Sequence, residues 1–189
     1  NIPLWNYDTE SYVMWVDISA DGEYIVVSSS YGKIYLFGKT SNTPLWIYET
    51  GSADFYSVSI SANGEHIVAG SRDNKVYFFE KDSPTPLWSY ETGNDILSVA
   101  ISADGQYIVA GSYDSKVYLF SEESSTPLWT YSTGSGIRTV SISSDGEYIV
   151  TGSENGNIYL FDKDSSTPLW SYETGQVIWG VSISADGEH

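Results

Sequence analysis

The chain has 189 residues and a formal charge of −17, with 8 Lys and Arg against 25 Asp and Glu, and it contains no cysteine. So acidic a balance excludes a nucleic-acid partner, because contacts to a phosphate backbone need basic side chains that are missing. A disulfide framework, thiol catalysis and cysteine-type zinc sites are excluded too, and no apolar run approaches the ~20 residues of a membrane span.

The chain opens on a short apolar run at residues 4–7, directly after Pro3. Pro-Leu-Trp then returns at Pro44, Pro86, Pro127 and Pro168, in steps of 41, 42, 41 and 41 residues. A fixed period of this length marks an array of one supersecondary unit. The units are 3–43, 44–85, 86–126, 127–167 and a partial 168–189, all within a single segment spanning 1–189. The first unit departs from the others at its inner run, where residues 13–19 carry Met14 and Trp15. The second holds one extra residue, in Gly51-Ser52-Ala53-Asp54, a surface-loop insertion that accounts for the step of 42.

The third unit shows the pattern most cleanly. Apolar residues alternate with period two in four runs, 87–90, 97–102, 106–110 and 116–120, which predicts four short strands. Ser102-Ala103-Asp104-Gly105 separates the second run from the third, with Gly105 supplying the positive φ of a tight turn. Ser112-Tyr113-Asp114-Ser115 turns the chain again. No stretch sustains a 3.6-residue period. Four antiparallel strands per ~40 residues is a propeller blade, so the predicted fold is all-β, with four complete blades and partial blades at both ends. The fifth unit reaches His189 where its third strand is due by register. The chain is therefore expected to be a window from a longer array, with open strand edges at which it self-associates.

Val99-Ala100-Ile101-Ser102-Ala103-Asp104-Gly105, followed by Ile108-Val109-Ala110-Gly111-Ser112-Tyr113-Asp114 and Val117-Tyr118-Leu119-Phe120, resembles the WD-repeat pattern. Leu87-Trp88-Ser89-Tyr90-Glu91-Thr92-Gly93 resembles the tryptophan-docking segment of quinoprotein-type (PQQ-like) repeats. The resemblance covers the whole chain and is to hybrid propellers of archaeal and bacterial surface or secreted proteins. It implies a propeller fold and an extracellular or cell-surface location. The departures are specific. No Gly-His pair precedes the inner strands, and the Trp-Asp ending is replaced by Leu119-Phe120-Ser121 and Leu160-Phe161-Asp162. The inner-turn Asp, present at Asp73 and Asp114, is Tyr31 and Asn155 in the flanking copies. WD partner-binding roles are accordingly not carried over.

Chemistry finds little footing in these residues. Quinoprotein dehydrogenases hold their cofactor with a vicinal disulfide, a calcium ion and a catalytic Asp; this chain lacks Cys and any acid cluster converging from several inner strands. The two histidines, His66 and His189, are not spaced as partners of a catalytic acid, and the Ala-Asp-Gly turns lack the ligand set of a calcium loop. No enzyme activity, cofactor or metal is expected. The recurrent Trp5, Trp46, Trp88, Trp129 and Trp170 read as packing between blades.

Positions that hold between copies are scaffold, and positions that change are free of it. The start of the inner strand changes most, as Met14, Tyr56, Leu97, Arg138 and Trp179, with Trp15 beside the first. The loop before the last strand of the unit changes too, as Ser30, Arg72, Tyr113 and Glu154. Both sets are expected on the channel face, where aromatic and Arg side chains are the material of binding hot spots; drift on an exposed rim is the plainer account of the same pattern. The expected function is a non-enzymatic scaffold for protein–protein contacts, with a protein partner or self-association. The competing expectation is a ligand- or cofactor-binding quinoprotein-like enzyme whose chemistry lies in blades not present here.

Overall fold

A computed structural model describes residues 3–51 and 53–187; Ser52 of the insertion and His189 lie outside the described residues. Among the described residues sixteen strands form four separate antiparallel sheets, each with its strands side by side in chain order. The first blade comprises β1 (Val13–Ile18), β2 (Tyr24–Ser29), β3 (Lys33–Gly38) and β4 (Trp46–Glu49). The second comprises β5 (Phe55–Ile60), β6 (His66–Ser71), β7 (Lys75–Glu80) and β8 (Trp88–Glu91). The third holds β9 (Ile96–Ile101), β10 (Tyr107–Ser112), β11 (Lys116–Ser121) and β12 (Trp129–Ser132). The fourth holds β13 (Ile137–Ile142), β14 (Tyr148–Ser153), β15 (Asn157–Asp162) and β16 (Trp170–Glu173). Each outermost strand thus comes from the Pro-Leu-Trp segment of the following unit.

The inner strands β1, β5, β9 and β13 stand next to one another in that order. Side chains and turns tie them together in register. The hydroxyls of Ser57, Ser98 and Thr139 accept from the backbone N–H of Val99, Val140 and Val181, one blade further on. At the hairpin turns Ala20, Ala62, Ala103 and Ser144 donate their N–H to the carbonyls of Ala62, Ala103, Ser144 and Ala185, at 2.9–3.0 Å. The Ala-Asp-Gly turns therefore belong to the architecture. Ser102 Oγ donates to Asp104, whose carboxylate also accepts from the N–H of Gln106, and Gly105 takes the left-handed φ of 82°.

The core consists of three apolar layers, one between each pair of neighbouring blades. Tyr35, Phe37, Tyr77, Phe79, Tyr118, Phe120, Tyr159 and Phe161, the aromatic pairs on the third strands, are all buried. Gly70 and Gly111 allow the next inner strand to come close; a Cβ at either would sit 2.5 Å from Ile96 or Ile137.

Four tryptophans of the repeat take up one arrangement. Trp5, Trp46, Trp88 and Trp129 donate Nε1–H to the carbonyls of Lys39, Lys81, Glu122 and Lys163, and lie against Phe37, Phe79, Phe120 and Phe161. Trp170 differs. It is 49% exposed, because the described residues include no further third strand for it to meet. Residues 4–7 and 177–183 also differ from expectation in having no strand pairing. The reason is the same in both places: no neighbouring strand of their own sheet is present among the described residues. Their side chains still dock, with Tyr7 edge-on to Tyr35 and Phe37, and Ile178 close over Gly152.

Candidate binding rim at the channel mouth

The loop before each inner strand and the loop before each third strand are fastened together. The N–H groups of Ser30, Arg72, Tyr113 and Glu154 donate to the carbonyls of Tyr12, Asp54, Asp95 and Gly136, at 2.8–2.9 Å. All four variable loop residues are therefore held beside the start of an inner strand. The first loop is the most unusual: Tyr31 and Gly32 both lie in the left-handed region, and the Tyr31 ring stands exposed.

Between the inner strands this rim encloses an open cavity of about 450 Å³, lined by Met14, Trp15, Tyr56, Asp95, Leu97, Tyr113 and Arg138. Every blade contributes. Of the other residues singled out by variation, Glu154 accepts from Arg138 Nε at 2.8 Å and also from its Nη2. The Arg138 guanidinium lies 5.6 Å from the centre of the Tyr113 ring and 5.1 Å from that of Trp179. Arg72 reaches Asp95 at 4.0 Å. Ser30 stays outside the cavity, its Oγ accepting from the Tyr12 N–H. Asp95 went unremarked in the sequence; its only signal is its place two residues ahead of Leu97, where the other copies carry Tyr12, Asp54, Gly136 and Val177.

The chain's two arginines, Arg72 and Arg138, both sit on this rim, each facing an acid. Lys39, Lys81 and Lys163 instead pair with Glu23, Glu65 and Glu147 at the far ends of the third strands. Below the rim, Asp73 and Asp114 accept from the hydroxyls of Tyr77 and Tyr118 at 2.5 and 2.6 Å. Burial raises both phenols above their ordinary pKa, and the adjacent carboxylates add to the effect. Among the described residues no group of three or more His, Asp or Glu side chains could hold a metal ion. Nor, among these residues, is any helix long and apolar enough to cross a membrane.

A family model described as outer membrane protein assembly factor BamB, of the PQQ-like repeat type, matches residues 4–143. A second, described as WD domain, G-beta repeat, matches residues 125–162. No curated protein matches the chain.

Proposed function

The chain belongs to the PQQ-like repeat family of β-propellers, and from that premise we propose that it is a non-enzymatic scaffold whose channel rim binds a protein partner, outside the cell or at its surface. One observation carries this reading. Met14, Tyr56, Leu97 and Arg138, which are equivalent positions in four otherwise similar units, converge on a single cavity. A scaffold keeps its packing residues constant; side chains that differ from blade to blade while facing one open cavity are available for recognition. Tyr, Trp, Arg and Met are the residues enriched where protein interfaces concentrate their energy. The assembly-factor name of the matching family model supports work on other proteins and a place at the cell envelope. Self-association through strand edges is the other contact the fold offers.

Quantitative affinity capture tests the reading, comparing the unaltered chain with a rim variant (Tyr56→Ala with Tyr113→Ala) and a far-face variant (Glu123→Gln). A partner retained by the far-face variant and lost by the rim variant is the expected result. Equal capture by all three, or loss only with Glu123→Gln, overturns it. Surface labelling of intact cells tests the location, and a chain labelled only after lysis refutes it.

A further inference from the structure

We propose that the channel mouth is a receptor for a lysine or arginine side chain presented by a basic segment of the partner, with Asp95 as its counter-ion and Trp15 and Tyr56 as its aromatic walls. This rests on the reading of the rim as a protein-binding face. The molecule contains its own template for such a site. Arg138 is held between the rings of Tyr113 and Trp179 with Glu154 as counter-ion, which is how a guanidinium is stabilised by ring quadrupoles and one carboxylate together. The same cavity is lined by a second set of these components, the rings of Trp15 and Tyr56 and the carboxylate of Asp95, whose one internal cation is the loosely held Arg72.

Asp95 is the carboxylate that lines the cavity, and among the described residues its side chain accepts no hydrogen bond. Its nearest cation, Arg72 Nε, stands at 4.0 Å on a largely exposed side chain. A pairing that long and that exposed is weak, so an incoming cation displaces it at little cost. By contrast Glu154 is already engaged twice by Arg138, so the rim's own fixed cation is neutralised and does not repel a second one. Met14 and Leu97 supply apolar surface for the methylene stem of a long basic side chain. At longer range the charge of −17 attracts a basic segment and repels an acidic one.

Three capped peptides of equal length, centred on Arg-Leu-Arg, Gln-Leu-Gln and Glu-Leu-Glu, test the proposal by calorimetry with the full chain. The Arg peptide is expected to bind, with the other two weaker by at least about tenfold. Asp95→Asn and Trp15→Ala are each expected to weaken the Arg peptide about tenfold or more, while Glu123→Gln, which removes a charge elsewhere, leaves it unchanged. Three results overturn the proposal: no binding of the Arg peptide up to about 1 mM, equal or better binding of the Gln or Glu peptide, or equal effects of Asp95→Asn and Glu123→Gln. If any of these appears while capture of a partner still depends on Tyr56 and Tyr113, the receptor assignment falls and the rim remains the binding face. Loss of that dependence refutes the rim itself.

Discussion

Trp88 Nε1 donates to the carbonyl of Glu122 at 2.9 Å, a bond that leaves the outer strand of one blade and ends in the turn just after the third strand of the next. The indole lies between Phe78 on its own blade and Phe120 on the next, at ring-centre distances of 5.0 and 5.4 Å. Sequence neighbours are thus joined by a bond that spans two sheets, and successive blades cannot slide apart without exposing both rings and an unpaired N–H.

Removing such an indole should destabilise the fold in proportion to its cover. Trp46, 8% exposed and bonded to Lys81, is expected to cost about 3–5 kcal/mol when changed to Ala. Trp170→Ala, at the same repeat position but half exposed, should cost under about 1 kcal/mol. Chemical denaturation of the two variants checks the contrast; equal losses contradict the docking role.

Close approach of the inner strand leaves Gly111 little room for a side chain. Gly111→Ala drives a methyl to 2.5 Å from Ile137 and should cost about 1–3 kcal/mol as an overpacked core. The equivalent position in the first blade is Ser28, fully buried with no hydrogen-bond partner for its hydroxyl. Ser28→Ala is expected to raise the denaturation midpoint, since it deletes an unsatisfied polar group.

Acid should loosen the hairpin turns. The Ser19 hydroxyl and the Glu23 N–H hold Asp21 below its ordinary pKa, and Ser143 and the Glu147 N–H do the same for Asp145. A folded-state pKa below the unfolded one contributes stability above the unfolded value near 4, and that contribution is lost as pH falls through the folded value. The second blade shows the remedy, because Asn63 makes the same bonds to Ser61 and Glu65. Asp21→Asn with Asp145→Asn should keep the turns and flatten stability against pH below about 4, measured by thermal melts. An unchanged acid slope refutes the assignment.

Alkali acts on the other polar pair. Tyr77 and Tyr118 are held protonated by burial and by Asp73 and Asp114, so their folded pKa values lie above the unfolded one near 10. Their contribution is fully present below that value and declines as pH rises beyond it. Tyr77→Phe with Tyr118→Phe should reduce the steepness of alkaline unfolding. A slope identical to that of the unaltered chain counts against the pairing.

The all-β fold and the repeat period were legible in the sequence because both signals are local or self-comparative; which blade each Pro-Leu-Trp strand completes was decided by the pairing of the sheets. Alternation of apolar residues marks strands from within a few residues, and a 41-residue period lets each copy be read against the next. The same comparison picked out Met14, Trp15, Tyr56, Leu97, Tyr113 and Arg138, which the fold brings to one cavity. It could not show that Asp95 joins them, because membership of a cavity depends on how four inner strands lean together and not on any spacing along one of them. Nor could it separate Trp170 from Trp46, two residues in the same Pro-Leu-Trp motif. Burial is set by what lies across the blade interface, and that is a through-space property. Arg138 makes the point once more: its type was plain, but only the tertiary packing decided that Glu154, Tyr113 and Trp179 would hold its charge.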